Sequence, residues 1–266
     1  MSAYLAGDVP VAQDAAAAAP LQLSSQSFLT LLTSREAPDA YCEWSGPRMR
    51  GHVADGDGAD ISTELAGDLF TGRFDENAFN NMDVDGKGIY MVPWTGDVTN
   101  VIWYDVDAFD DLGIGVPTTW DEYLAANQTI LDAGKLPMVE GNKDQWPVGS
   151  IASHVVSRMI GEQQYSDVMD GLAPMNSPEM VEAMNYLADI ASNGYINDSV
   201  NALPDDEANT QFFLGRAAMI VIGSWLMADA VSDAEGLEFD YFNTPALEGA
   251  GDQASVLGIS TGFMVN

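Results

Sequence analysis

Ala217-Ala218-Met219-Ile220-Val221-Ile222 is an unbroken apolar run, and Gly223-Ser224-Trp225 follows it directly. Six apolar side chains in a row leave no face for water, so the run reads as a strand buried on both sides, as in sheets covered by helices. Gly223-Ser224 then ends the run and can open a helix, whose first backbone N–H groups lack intrahelical partners and can meet ligand oxygens. A buried strand that feeds a helix start predicts an α/β layered fold, where ligands sit beyond the carboxyl ends of strands.

Working outward, Val92-Pro93-Trp94-Thr95-Gly96-Asp97-Val98-Thr99-Asn100-Val101-Ile102-Trp103-Tyr104 sets a polar turn inside an aromatic, β-branched run. Alternation over Gly88–Val92 predicts a strand that leads to a turn at Trp94. A helix is expected over Gln26–Ser34, where Phe28, Leu31 and Leu32 recur at helical spacing, with Pro38 ending it ahead of a strand over Ala40–Trp44. The Gly and Asp density of 51–72 suggests loop with one short helix. Thr119 and Glu122 have capping-box spacing and Gly134 sits where a helix ends, which predicts a helix over Thr119–Leu131. Ser177 and Pro178 open another, with Met180, Met184, Leu187 and Ala191 as its core stripe.

Tryptophans recur beside small polar residues: Trp44-Ser45-Gly46, Trp94-Thr95-Gly96-Asp97, Trp146 in Asp144-Gln145-Trp146-Pro147, and Gly223-Ser224-Trp225. An indole offers a broad apolar face, while hydroxyls, carboxylates and bare N–H groups give directional hydrogen bonds, and sugars present both kinds of surface. Trp44, Trp94, Trp146 and Trp225 are therefore the candidate stacking faces. Ser45, Thr95, Asp97, Gly223 and Ser224 are the candidate polar contacts, and Arg48 bridges or orients the first loop. The bland alternative for Asp97 is an Asx-turn bond to Val98 or Thr99, and for Trp146 an exposed turn tip.

Taken in order, Ala37-Pro38-Asp39, Trp44-Ser45-Gly46, Pro93-Trp94-Thr95-Gly96-Asp97, Trp103-Tyr104, Thr119-Trp120-Asp121-Glu122, Phe213-Leu214-Gly215-Arg216-Ala217-Ala218-Met219 and Gly223-Ser224-Trp225 resemble the extracellular solute-binding proteins of family 1, the maltose-binding-protein-like sugar receptors of ABC transporters. The resemblance runs from about Ser27 to the end of the chain. It implies a two-lobed, type II periplasmic-binding-protein fold, with 1–104 in the N-terminal lobe, 105–242 in the C-terminal lobe and 243–266 returning to the first. It also implies a hinge near Tyr104 and Asn243 and a mono- or oligosaccharide held in the cleft between lobes. The partner would be a membrane ABC permease, and the receptor would act as a monomer at the extracellular cell surface. Family members are usually longer at both ends, so the first lobe is expected to be incomplete and residues 1–24 to be a weakly ordered lead-in.

Composition excludes several classes. Forty-one acidic against nine basic residues give a net charge of −32, which disfavours nucleic acid as a partner. So many carboxylates with three lysines, Lys87, Lys135 and Lys143, suggest a protein made for high salt. The 47% hydrophobic content argues against disorder, and no run reaches the ~18 apolar residues of a membrane span. The N-terminus lacks the basic and apolar regions of a signal peptide, so the chain reads as soluble. Cys42 stands alone and is expected as a buried thiol. With two histidines, His52 and His154, there is little material for zinc or a Ser-His-Asp triad. No GxxxxGKS loop is present, and Asp83-Val84-Asp85-Gly86 is half a calcium loop at most, so neither metal nor cofactor is expected. Carboxylate pairs for glycoside hydrolysis are too numerous here to be informative. A non-enzymatic receptor is the reading. A carbohydrate-active hydrolase and an acidic carbohydrate-adhesion module are its rivals.

Overall fold

A computed structural model describes residues 25–266 except 69, 80, 85, 100, 235 and 248–256. The lead-in expected over 1–24 lies outside the described residues. The chain divides into two compact units: residues up to Pro93 group with Gly262–Asn266 in unit 1, and Trp94–Thr261 form unit 2.

Unit 1 begins with α1 (Ser25–Leu32), β1 (Ala40–Trp44), α2 (Pro47–Asp55) and α3 (Ser62–Leu65). Strands β2 (Val92–Val98) and β7 (Gly258–Val265) join β1 in a sheet ordered β1-β7-β2, and the division between units falls inside β2 and β7. The core of unit 1 is rich in methionine: Met49, Met82, Met91 and Met264 are fully buried with Leu32 and Tyr41. Unbranched thioethers fill an irregular space that few regular elements define. Gly262 is required where β7 passes β2, because a Cβ there would lie 2.4 Å from the Val92 carbonyl oxygen.

Unit 2 runs β3 (Val101–Asp105), α4 (Val106–Leu112), α5 (Trp120–Asp132), β4 (Leu136–Met138), α6 (Pro147–Ile160), α7 (Glu162–Met169), α8 (Pro178–Ser192), α9 (Asp205–Phe213), β5 (Ala217–Ile222), α10 (Leu226–Asp233) and β6 (Phe239–Asn243). The sheet order is β4-β5-β3-β6, with β4 parallel to β5 and β3 antiparallel to both β5 and β6. Alternation splits β3 between two apolar layers. Ile102 and Tyr104 join the cluster that holds α5, α6 and α8 residues, while Val101 and Trp103 join Phe212, Phe213 and Leu226. Every residue of β5 is buried, as the unbroken apolar run requires.

The capping box of α5 forms as expected, with Thr119 accepting from the Glu122 amide and Glu122 accepting from the Thr119 amide. Ser177 caps α8 in the expected way.

Several local expectations change. The strand placed over Gly88–Val92 lies instead at Val92–Val98, so Trp94-Thr95-Gly96-Asp97 is extended backbone and not a turn. The one short helix expected within 51–72 is α3, while α2 enters that region from Pro47, a residue suited to a first helical position, and runs on to Asp55. Cys42 is exposed: period-two alternation in β1 turns Tyr41 and Glu43 inward and Cys42 outward. Met184 is 42% exposed, and the buried line of α8 runs through Met180, Ala183 and Ile190 instead. Tyr104 and Asn243 lie within paired strands, where bending would break ladder hydrogen bonds, and the chain passes between units at Pro93–Trp94 and Thr261–Gly262. By pairing with β5 and β6, β3 belongs to unit 2.

Candidate functional site

Three candidate residues, Trp44, Ser45 and Arg48, belong to unit 1, and seven belong to unit 2.

In unit 1, β1 delivers Trp44 to the surface at 39% exposure and turns Glu43 inward at 5%. Gly46 follows with φ +87°, a left-handed conformation that favours glycine, and its amide donates to the Asn81 carbonyl. Glu43 accepts from the Trp44 amide at 2.7 Å, from Arg48 Nη2 at 3.2 Å and from Arg48 Nε at 3.1 Å, and pairs with His52 Nε2 at 3.0 Å. The carboxylate thus clamps Arg48, whose guanidinium carbon lies 4.7 Å from the Trp44 ring centroid. That is cation–π geometry, and it places the cation over one face of the indole. Ser45 is half-buried in the turn.

In unit 2, Trp94 is 64% exposed, and alternation along β2 sends Thr95 and Asp97 to the opposite side. Thr95 Oγ1 donates to Asp97 Oδ2 at 2.7 Å and Ser224 Oγ donates to Asp97 Oδ1 at 2.8 Å. Ser224 Oγ also accepts from the Val98 amide at 3.2 Å. The Asx-turn alternative is displaced, since the Val98 amide serves Ser224 and the Thr99 amide serves the Leu257 carbonyl. Asp97 therefore ties β2 to the segment after β5.

Gly223 is buried, and a Cβ there would fall 2.0 to 2.3 Å from three carbons of the Trp225 ring. Only glycine lets that indole fold back over its own chain. Trp225 lies 5.8 Å from Trp146, ring to ring, at a 56° tilt, so the structure brings these two candidates together. Both occupy helix N-cap positions, Trp146 at α6 and Trp225 at α10, and neither makes a side-chain cap hydrogen bond. Trp146 is half-buried rather than an exposed tip, and Gln145 before it has φ +66°, one of two non-glycine residues with positive φ among those described.

A cavity of about 460 Å³ adjoins Ser224, lined also by Val98, Trp103, Met227, Phe239 and Tyr241. Trp103 and Tyr241 were not among the candidates. Their rings lie 5.4 Å apart on paired strands, and the odd-numbered alternation Val101, Trp103 was the signal that could have marked this face. Two acids of unit 2, Glu140 and Asp205, are pushed upward. Burial pushes the Glu140 carboxyl well above the usual carboxylate range while it accepts from the Val221 amide at 2.6 Å. Asp205 is pushed up to about 6 by burial and by Asp206, Asp144 and Asp229. Among the described residues, no group of three or more His, Cys, Asp or Glu is placed to hold a metal ion, and no helix is long and apolar enough to cross a membrane.

Indoles, hydroxyls and a carboxylate lie on or directly after β1, β2 and β5 of this α/β frame. The family model described as bacterial extracellular solute-binding protein matches residues 21–266, and the chain belongs to that family. The fold is the α/β type II periplasmic-binding-protein fold. A solved protein from work on xylan utilization by Caldanaerobius polysaccharolyticus is 27% identical with a TM-score of 0.84, covering 90% of this chain and 62% of that one. A solved chitin oligosaccharide binding protein is 22% identical with a TM-score of 0.78, covering 92% of this chain and 60% of that one. Among curated relatives, a probable sugar-binding periplasmic protein of Rhizobium meliloti is 24% identical over 156 residues, 57% of this chain and 37% of its own length. An ABC-transporter extracellular-binding protein of Pyrococcus horikoshii is 24% identical over 201 residues, 74% of this chain and 44% of its own length. The chain thus spans about two-fifths of the length of these curated relatives.

Proposed function

We propose that this chain is the substrate-binding component of an ABC importer and binds a mono- or oligosaccharide by tryptophan stacking and hydroxyl hydrogen bonds. The observation that carries the reading is the unit 2 group in which Trp146 and Trp225 pack together beside Ser224 and Asp97, whose carboxylate is held by two hydroxyls. A fixed carboxylate accepts from sugar hydroxyls without paying to be ordered, and an indole covers the C–H face of a pyranose. The Arg48-backed indole of Trp44 is a further stacking surface. Relatives that bear sugar-binding names and solved relatives such as the chitin oligosaccharide protein and a binding protein in complex with raffinose support the ligand class. The partner is a membrane permease, the working form is a monomer, and the place of action is the extracellular side of the membrane.

Two or three stacked rings and several hydrogen bonds suffice for a micromolar dissociation constant, roughly −8 kcal/mol. The test is a panel of mono- and oligosaccharides titrated while tryptophan fluorescence and product formation are followed. A receptor gives saturable fluorescence changes with no turnover. A hydrolase consumes the sugar, and an adhesion module leaves small sugars without effect. Trp225→Ala and Asp97→Ala should each weaken binding about tenfold or more while the chain stays folded. Full affinity in both variants overturns the assignment of these residues.

A further inference from the structure

Unit 2 contains a second cavity, about 180 Å³, enclosed by the sheet and the layer of α5, α6 and α8. Its buried lining includes Ile102, Met138 and Val221 from the sheet with Trp120, Tyr123 and Val155 from the helices. Residues at its other end, such as Leu187, Ala191 and Val200, are partly or fully exposed, which marks the way in. None of the ten candidate sugar-site residues lines it.

Two donors stand in this lining, which is mostly apolar with Asn142, Asn201 and Thr244 as its polar members, and one of the two has no partner. Trp120 is 6% exposed and its Nε1–H has no hydrogen-bond partner. Tyr123 is 2% exposed, and its hydroxyl donates to Met138 Sδ at 3.6 Å, a weak acceptor. The two rings are neighbours, 5.2 Å apart. Buried donors are ordinarily paired, and one unserved donor next to one that is weakly served, beside open space, points to an acceptor that arrives from outside. The volume admits a benzene-sized molecule, since dry apolar cavities of ~150 Å³ take benzene.

We propose that this cavity is a second ligand site, for a small, largely apolar molecule carrying a hydrogen-bond-accepting oxygen, with an aryl ketone as its model. The hydrocarbon part packs on Ile102, Met138, Val155 and Val221, and the carbonyl oxygen, with two lone pairs, accepts from Trp120 Nε1, Tyr123 OH or both. A sugar does not suit the cavity, because Asn142, Asn201 and Thr244 are the polar members of a lining otherwise largely of carbon, and most of its hydroxyls would be buried without partners. The inference does not rest on the sugar-binding reading.

The experiment compares acetophenone with α-methylstyrene, which keeps the shape but replaces the carbonyl oxygen by CH2, on the full chain. Binding is read from the thermal midpoint and from the Trp120 indole 1H–15N resonance, assigned with Trp120→Phe. Both probes should raise the midpoint, and acetophenone should bind about fivefold more tightly and move the indole proton downfield. Trp120→Phe should retain α-methylstyrene and shrink the preference. Should that variant not fold, Tyr123→Phe serves the same comparison. Ala191→Trp, a change at the exposed end that leaves the core intact, should abolish binding of both probes without lowering the midpoint of the free protein. If neither probe binds at saturation in water, the cavity holds solvent only and the proposal falls. Equal affinity for the two probes overturns the donor assignment, and undiminished binding in Ala191→Trp shows that the probes sit elsewhere and overturns the site.

Discussion

Among the described residues each unit buries one glutamate, and the two are held by opposite means. Glu43 of unit 1 is ringed by Arg48, His52 and the Trp44 amide, so its burial is offset by cationic and N–H partners. Glu140 of unit 2 accepts from the Val221 amide and has no basic side chain among its hydrogen bonds, and burial pushes its carboxyl upward. The same division runs through the two corners. Trp44 is fixed by charge, through a clamped arginine, whereas Trp225 is fixed by shape, folded over Gly223 and packed on Trp146. A buried charge needs a complete partner set, and a packed ring needs a neighbour small enough to admit it.

Glu43→Ala tests the charged corner hardest. It strands a buried His52 and frees Arg48 from Trp44, and after discounting for the half-exposed arginine it should cost about 2–3 kcal/mol in urea unfolding. Glu43→Gln keeps an acceptor and should cost less. If the two cost the same, charge is not what holds this corner. Gly223→Ala tests the packed corner: the added carbon must drive the Trp225 ring out, costing about 1–3 kcal/mol and any ligand affinity that depends on that ring. A stable Gly223→Ala protein with an unchanged Trp225 fluorescence environment would contradict the packing account. Ser224→Ala removes the hydroxyl that joins Asp97 to the Val98 amide and should cost about 0.5–1.5 kcal/mol.

The last test starts from no difference at all. Glu140 has a raised pKa in the fold, so its contribution to stability is complete below the carboxylate pKa of the unfolded chain and is lost as pH rises through the folded value. Glu140→Gln, which can still accept from Val221, should match the parent chain near pH 4 and become the more stable of the two as pH rises to 8. Parallel pH profiles would show that Glu140 is not buried as an unpaired acid.

Much of the frame was legible in residues. The run Ala217–Ile222 read as a doubly buried strand because no polar side chain interrupts it, and Thr119 with Glu122 announced a helix start through local hydrogen bonds alone. The Trp94 segment was misjudged because Gly96 and Asp97 are turn formers by propensity, and only pairing in the β1-β7-β2 sheet makes them extended. Of the candidate residues, Trp146 and Trp225 meet because the loop before α6 and the end of β5 approach one another. Those positions are some eighty residues apart, a distance no local rule spans.

Sequence alone determined the kinds of surface available here: indoles beside hydroxyls and glycines, an excess of carboxylates, and alternating strands and helices that require both sheet faces to be covered. These follow from side-chain chemistry and from periods of two and 3.6 that each residue carries with it. Tertiary structure decided which carboxylate is paired and which is not, which indole lies over a glycine, and where an unserved donor faces an open space. Those outcomes depend on the dielectric and the partners around each group, and both are set by residues distant in the chain.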